Sequence, residues 1–305
     1  MKQTISGSQI IGKRDLQEDA FYFDTRVDDG GQQIALAVLA DGVGGHGSGN
    51  VASQLAVSAF ADYVWAAIGD AATKAHFAPV VMPGYFDAEL DQFVAGLADR
   101  VAQALRHDDS PRGVECLENP AVVLMGALCF ANDQLNAEKS RLVDREAMAC
   151  TLVAVLAHDA KFWWISVGDS HVYLVRDRNL EKKNAIHDYG SILDAKVAAG
   201  EPVSDAEAHY SRKTLVSFVS GDALTLIDCP DEPMRLCDGD CIVLASDGLN
   251  GLSAARIVFQ LVSSEGAQSS AVALLDAVQR SAHPRQDNTT VVVMQCLAPD
   301  VVVGD

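Results

Sequence analysis

A carboxylate followed by a glycine-rich loop is the stretch of this sequence whose residue types best suit chemistry. The apolar run Ile34–Ala40 predicts a buried strand that ends at Asp41, and five glycines follow within eight residues. Glycines allow positive φ and let the main chain approach a ligand closely. A carboxylate beside accessible carbonyls suits a hard divalent cation, although a tight strand-to-helix turn gives the same pattern.

Three other acidic stretches have the same setting, at the junction of a loop and an apolar strand. They are Arg14–Asp19, Val243–Leu249 and Gln286–Thr290. Single aspartates at such positions are often turn formers or helix caps. Four of them, each next to a strongly apolar strand, indicate a shared role.

These stretches together resemble the motifs of the metal-dependent protein phosphatase 2C family of serine/threonine phosphatases, in its bacterial form. The matching pieces occur in the family's order and are Arg14 with Glu18 and Asp19, Asp41–His46, Val167–Ser170, Ser246–Leu249, and Asp287 with Asn288. They extend from residue 14 to residue 288, which is nearly the whole chain.

The resemblance implies two Mn²⁺ or Mg²⁺ ions, with a position for a third, and a water between the two ions that attacks phosphate as hydroxide. It also implies that Arg14 binds phosphate through its planar guanidinium. In this resemblance Asp41 is the bridging carboxylate, and the Gly42 carbonyl is a further ligand. Asp247 and Asp287 complete one ion's shell, whereas Asp19 and, through water, Glu18 serve the other ion. Asp169 matches the position for the third ion. By residue type alone, Asp169 could equally form a turn, and Arg14 could be a surface residue in a salt bridge.

The sequence departs from the family pattern at three positions. Val43 stands where some eukaryotic members have a histidine proposed as general acid, and His171 replaces the usual arginine after Gly-Asp-Ser. The family's Asp-His-Ser/Thr stretch is represented only by the scrambled run His187–Tyr189. These departures concern substrate contacts more than metal binding.

Short strands fall into early and late clusters, with helices between them and near the end. This order favours an α+β fold in which two antiparallel sheets form a central sandwich flanked on both sides by α-helices, and the resemblance implies the same α-β-β-α layers. The predicted helices include Gly49–Ile68, Phe86–Leu105 and Pro120–Arg145, and the late strands include Leu224–Asp228 and Cys241–Ala245.

We expect one catalytic domain over residues 1–298, with a tail at 299–305. Two segments stand out within it: an extended one at about 69–120 and a flap-like one at about 187–213. The extended segment has no catalytic motif but contains aromatic residues among prolines. Its regular apolar stripe favours a packed helix at Phe86–Leu105, which leaves the flanks Ala75–Tyr85 and His107–Asn119 as a candidate docking surface or as passive loop.

Composition narrows the classes of partner. The formal net charge is −19, which argues against nucleic acid and anionic membrane as partners. No apolar run in the sequence approaches the length of a membrane span, and the N-terminus has no signal-peptide core. Seven cysteines without metal or disulfide spacing predict a reducing, cytoplasmic location.

The sequence therefore predicts metal-dependent hydrolysis of phosphoserine and phosphothreonine in proteins, opposing a serine/threonine kinase. One alternative is a pseudo-phosphatase that binds a phosphoprotein or kinase without turnover; the complete set of metal carboxylates favours the enzyme. A structural calcium module is a third interpretation, but its acidic loops would usually be clustered in one part of the chain.

Overall fold

Two five-stranded antiparallel sheets pack face to face at the centre of the structure. The structure is a computed structural model that describes residues 1–28, 30–43, 48–69, 114–141, 148–204, 207 and 209–297. The described strands are β1 Lys2–Ile10, β2 Ala20–Val27, β3 Gln33–Ala40, β4 Gly42–Val43, β5 Ala149–Cys150, β6 Leu152–His158, β7 Lys161–Val167, β8 His171–Arg176, β9 Asn179–Lys182, β10 Met234–Arg235, β11 Cys241–Ala245 and β12 Thr289–Leu297.

Helices cover the outer faces of both sheets. The described helices are α1 Gly49–Ile68, α2 Val114–Glu118, α3 Pro120–Arg141, α4 Tyr189–Ala198, α5 Ala254–Val262 and α6 Gly266–Ser281, and a short 3-10 turn spans Asp247–Gly251. One sheet has the strand order β1-β12-β11-β8-β9, and the other has β10-β7-β6-β3-β2. The predicted fold class, a sandwich between two helical layers, is confirmed.

The alternation of side chains along β3 shows why the sandwich forms. Leu36 and Val38 pack with α1 and α3 on the outer face, whereas Ala37 and Leu39 pack between the sheets. A third apolar cluster joins β8, β11 and β12 to α5 and α6. Because both faces of the central strands are buried, they are apolar along almost their whole length.

The helix α1 has the bounds predicted from its apolar spacing. By length and composition it could cross a membrane, but 72% of its apolar window is buried inside the protein. Its buried face belongs to the same apolar cluster as β3 and α3. Burial of this kind is what a core helix shows.

The prediction of a strand at Leu224–Asp228 is wrong. Only Asp228 makes an isolated bridge, to Ser166, and the neighbouring backbone is bonded differently. The Ser217 hydroxyl accepts a hydrogen bond from the Leu226 N–H (3.0 Å) and donates to its carbonyl (2.8 Å). A side chain therefore takes the place that a partner strand would have.

The structure describes little of the extended segment at about 69–120 but most of the flap-like segment at about 187–213. The helix predicted at Phe86–Leu105, most of its flanks and the tail at 299–305 lie outside the described residues, although α2 occupies Val114–Glu118. The flap-like segment begins with α4, which Asp188 caps by accepting a hydrogen bond from the Ser191 N–H (2.6 Å). The chain then returns beside its start, since the Tyr189 N–H donates to the Thr214 carbonyl (2.9 Å).

Candidate metal centre and phosphate site

A cleft of about 420 Å³ lies where strand ends of both sheets meet the flap-like segment. Seven of the eight predicted site residues line it: Arg14, Glu18, Asp41, Gly42, Asp169, Asp247 and Asp287. The eighth, Asp19, is buried nearby with 3% of its surface exposed, and its charge acts on Asp41. Residues up to 273 positions apart in the sequence thus meet at one site.

Asp41 follows β3 directly, at the centre of the acidic cluster. Burial raises the pKa of its carboxyl well above the usual range, and the charges of Asp19, Asp247, Asp169 and Asp287 raise it further. A buried carboxylate surrounded by like charges is stabilised by either a proton or a cation.

Asp19 precedes β2 and has one satisfied and one unsatisfied oxygen. Its Oδ2 accepts hydrogen bonds from Ser246 Oγ (2.8 Å) and Thr290 Oγ1 (2.7 Å), and its buried Oδ1 has no partner. Burial raises the pKa of Asp19 to about 7. A bare carboxylate oxygen in an acidic pocket suits a hard cation or one of its waters.

Glu18 is held by its main chain, which leaves its carboxylate available. Its N–H donates to Asn288 Oδ1 (2.8 Å), and Asn288 Nδ2 donates to the carbonyls of Ile11 (2.9 Å) and Leu16 (3.0 Å). Glu18 Oε1 is buried without a partner, and burial raises the pKa of the carboxyl. Asn288 thereby fixes the loop that presents Glu18.

Gly42 occupies a space that admits no side chain. A Cβ atom there would lie 2.5 Å from the Gly49 main chain and 2.6 Å from the Glu18 carbonyl oxygen. The Gly42 N–H donates to that same carbonyl (3.1 Å). The glycine therefore allows the loop after Asp41 to pack against the loop that carries Glu18.

The remaining carboxylates differ in their surroundings. Burial raises the pKa of Asp169 to about 6 and also raises that of Asp247. Asp287 is more open, with 36% of its side chain exposed, and its Oδ2 accepts a hydrogen bond from Arg14 Nη2 at 2.5 Å. In this structure Arg14 thus makes the salt bridge that the sequence left open, at the edge of the predicted phosphate site.

Sequence reasoning missed several side chains of this site. Thr151 and Lys213 line the cleft, and Ser246 and Thr290 hold Asp19. Thr151 is a single hydroxyl within the apolar run 149–157, which is a local signal that could have been noticed. Lys213 lies in the flap-like segment, and nothing in its neighbours marks it, yet its charge lowers the pKa of both Asp169 and Asp247.

The donor set fits a hard divalent cation. The candidate ligands are carboxylates and a main-chain carbonyl, and two of the carboxylates have a buried oxygen without a partner. Within the described part of the chain, no three acidic, histidine or cysteine side chains already form a ready-made metal shell.

The chain is similar to known protein phosphatases. The chain is 27% identical over 260 residues to the serine/threonine protein phosphatase PstP of Mycobacterium tuberculosis. The matched region covers 85% of this chain but only 40% of that protein. The chain is 24% identical over 220 residues to a protein phosphatase 2C-type protein of Streptococcus pyogenes, covering 72% of this chain and 69% of that one. The chain thus spans less than half the length of PstP.

Solved structures share the fold. The crystal structure of Mycobacterium tuberculosis PstP has a TM-score of 0.64 at 24% identity, covering 97% of this chain and 99% of that one. The PstP catalytic domain in complex with two manganese ions has a TM-score of 0.63 at 23% identity, with the same coverage. Staphylococcus aureus Stp1 has a TM-score of 0.64 at 19% identity, covering 98% and 96%.

The family assignment rests on a longer match. A family model described as protein phosphatase 2C matches residues 6–286. That range contains every predicted motif except Asp287 and Asn288, which directly follow it. The chain belongs to the protein phosphatase 2C family.

Proposed function

We propose that this protein is a Mn²⁺- or Mg²⁺-dependent protein serine/threonine phosphatase. The observation that carries the proposal is the convergence of four aspartates, Glu18 and Arg14 on one cleft, with Asp19 buried beside it and with buried carboxylate oxygens that lack partners. The two manganese ions in the structure of the PstP catalytic domain support it. When bound, two such ions supply a water of lowered pKa as nucleophile and screen the charge of the phosphate.

The chain's own residues hold the ions and orient the substrate. Asp41 would serve both ions, the Gly42 carbonyl would be a further ligand, and Asp169 would serve a third, weaker position. The remaining ligands would be Asp247 and Asp287 for one ion and Asp19, with Glu18 through water, for the other.

Arg14 orients the phosphate. Its guanidinium exchanges the Asp287 carboxylate for phosphate oxygens, because both side chains are partly exposed and such a pair contributes little to stability. Val43 lines the cleft where some family members have a histidine, and no histidine lines it among the described residues. Because the Val43 side chain cannot donate a proton, we assign protonation of the leaving serine or threonine oxygen to water.

The biological setting is part of the same proposal. Phosphorylated proteins are the substrates, a serine/threonine kinase pathway is opposed, and seven cysteines without disulfide spacing in the sequence are consistent with the cytoplasm. A docking role for the flanks at Ala75–Tyr85 and His107–Asn119 remains a prediction from the sequence. The alternative, a pseudo-phosphatase, would share the fold and the metal site but would not turn over.

The test measures phosphate release from a phosphothreonine peptide with Mn²⁺ and then with excess chelator. We expect release that the chelator abolishes. We also expect losses of more than about 100-fold in Asp41→Asn and Asp247→Asn, since outer-shell partners of a metal already contribute about 10–100-fold and these residues are proposed direct ligands. The control is Asp276→Asn, which changes an exposed aspartate on α6. Full activity in chelator would contradict the proposal, and Mn²⁺ and peptide binding without release would favour the pseudo-phosphatase.

A further inference from the structure

A short series of hydrogen bonds joins Asp41 to the turn that carries Asp169. The Asp41 N–H donates to Thr151 Oγ1 (3.0 Å), and the Thr151 N–H donates to the Asp41 carbonyl (2.8 Å). Thr151 Oγ1 also shares a hydrogen bond with Ser170 Oγ (2.7 Å), and Ser170 directly follows Asp169. One hydroxyl group therefore connects the two acidic residues through their neighbouring backbone.

This link is shielded from water. Thr151 is 1% exposed and Ser170 is fully buried. A hydroxyl has one donor and two acceptor positions, so Thr151 can accept from Asp41 and still pair with Ser170 in either direction. In a buried setting each such bond is electrostatically stronger than in water, and leaving one partner unsatisfied is costly.

The turn on the Asp169 side has little freedom to move away from Thr151. Gly168 has φ +103°, and a Cβ atom there would lie 2.6 Å from the Thr151 methyl group. Asn184 Nδ2 donates to the Ser170 carbonyl (2.9 Å), and Asn184 Oδ1 accepts from the Val172 N–H (2.7 Å). The tight contact at Gly168 and the bonds to Asn184 therefore keep the turn against Thr151, so that a shift of the turn toward Thr151 would displace that residue.

We infer that Ser170 is a positioning residue that, through Thr151, couples the position of Asp169 to that of Asp41. Occupation of the Asp169 position would then alter the geometry of the bridging carboxylate at Asp41. The metal part of this inference rests on the proposed function, whereas the coupling of the two loops does not.

The first experiment tests the coupling in the metal-free full-length protein. Amide hydrogen exchange of Asp41, followed by NMR, reports the bond from its N–H to Thr151. We expect Ser170→Ala to accelerate this exchange about tenfold, the effect of one hydrogen bond of ordinary strength. An unchanged Asp41 amide would overturn the inference, whether or not the protein is a phosphatase.

Ser270→Ala is the matched control. Ser270 is an equally buried serine on α6, and its hydroxyl accepts a hydrogen bond from Gln295 Nε2 (3.1 Å), away from Thr151 and Asn184. We expect the exchange rate of Asp41 to change less than about twofold in this variant. Equal acceleration in Ser270→Ala and Ser170→Ala would show general loosening of the fold and would overturn the inference.

The second experiment asks whether the effect passes through Asp169. Mn²⁺ binding is measured by calorimetry for Ser170→Ala in the wild-type and Asp169→Asn backgrounds, as a double-mutant cycle. We expect Ser170→Ala to weaken the lower-affinity binding about tenfold in the first background and to leave binding unchanged in the second. Equal weakening in both backgrounds would contradict the coupling.

Conservative changes at Thr151 complete the test. Thr151→Val keeps the shape but removes the hydroxyl, whereas Thr151→Ser keeps the hydroxyl. We expect the valine variant to reproduce the faster Asp41 exchange and the serine variant to restore the wild-type rate; the reverse order would overturn the inference. If the wild-type protein releases no phosphate with Mn²⁺, the proposed function fails, and the amide measurements still decide the coupling.

Discussion

The ion pair between Arg14 and Asp287 places a predicted phosphate ligand on a predicted metal ligand. Their side chains are 52% and 36% exposed, so water screens the pair and its contribution to stability is small. The pair therefore holds the guanidinium at the cleft, and another anion can still replace the Asp287 carboxylate as its partner. The structure therefore shows the salt bridge of Arg14, and its phosphate-binding role stays a prediction.

Arg14→Ala is expected mainly to raise KM for a phosphothreonine peptide, because a guanidinium that binds phosphate equally in the ground and transition states affects binding more than turnover. The loss should be roughly 1–3 kcal/mol, the range for hydrogen bonds to charged groups. Steady-state kinetics measure it. Arg280→Ala is the control, since Arg280 is also exposed and near a carboxylate, at 3.7 Å. Unchanged kinetics in Arg14→Ala would reduce Arg14 to a surface salt bridge.

Asp62 on α1 is a partly buried acid outside the cleft. Burial raises its pKa to about 7, and the nearby charge of Arg26 opposes this only in part. Because the pKa is higher in the folded protein than in the unfolded chain, the folded protein binds the proton more tightly. The protonated Asp62 carboxyl therefore contributes its full stabilisation of the folded state below about pH 4, and this stabilisation is lost as the pH rises to about 7.

Asp62→Asn should therefore stabilise the protein at pH 8 relative to wild type, with a smaller gain at pH 5. The gain at pH 8 should be on the order of 1–3 kcal/mol, less than the full pKa shift implies because part of the side chain meets water. Urea unfolding at the two pH values measures it. Asp133→Asn, at an exposed aspartate on α3, should change neither value. A gain that does not depend on pH would contradict the assignment.

At the scale of elements, apolar spacing predicted most of the sandwich. The helix α1 and the strand β11 have the predicted bounds, because both are long apolar runs with clear ends. The strand predicted at Leu224–Asp228 failed because its backbone is satisfied by the Ser217 hydroxyl, a contact that no local pattern reveals. Local apolarity predicts burial, but the identity of the hydrogen-bond partner depends on the tertiary fold.

The same limit applies to the site. The aspartates could be found because each ends or begins an apolar strand. The bond between Thr151 and Ser170 joins residues 19 apart in sequence, and Lys213 comes to the cleft only through the return of the flap-like segment. Their roles depend on the tertiary arrangement rather than on spacing.

Gly42→Ala should disrupt the contact between the loops that carry Asp41 and Glu18. Its Cβ would meet main-chain atoms at 2.5 and 2.6 Å, which cannot move without shifting a loop. We expect a loss of about 1–3 kcal/mol in unfolding free energy, typical of overpacking, together with weaker Mn²⁺ binding. Thermal unfolding and calorimetry measure the two effects.

Gly251→Ala is the control for this prediction. Gly251 lies in the 3-10 turn after β11, and its Cβ would come no closer than 3.7 Å to another residue's atom. Its stability and Mn²⁺ affinity should stay close to those of wild type. Normal Mn²⁺ binding in Gly42→Ala would show that the loop contact is not needed for the metal site.

At the scale of the whole molecule, the net charge of −19 surrounds a site that receives an anion under the proposed function. The long-range field repels acidic substrates and attracts basic ones, and salt screens it. At low ionic strength a phosphothreonine peptide with flanking lysines should therefore have a kcat/KM about tenfold above that of one with flanking glutamates. The ratio should fall toward one as salt rises to about 0.5 M.

A neutral peptide of the same length is the control for this prediction, since its kcat/KM should respond little to salt. Initial rates over a salt series measure all three peptides. A preference for the basic peptide that persists at high salt would point to direct contacts rather than to the overall field.

The pairing of β1 with β12 places Lys2 opposite Leu297 and so closes a loop through almost the whole described chain. Contacts this distant in sequence form slowly, because the loop-closure entropy is lost before the strands gain their packing. Asp287 directly precedes the partner strand, and Arg14 follows β1. During synthesis, therefore, we expect the cleft to be assembled only after Thr289–Leu297 has left the ribosome, so an unfinished chain would lack the complete site that the proposed activity needs.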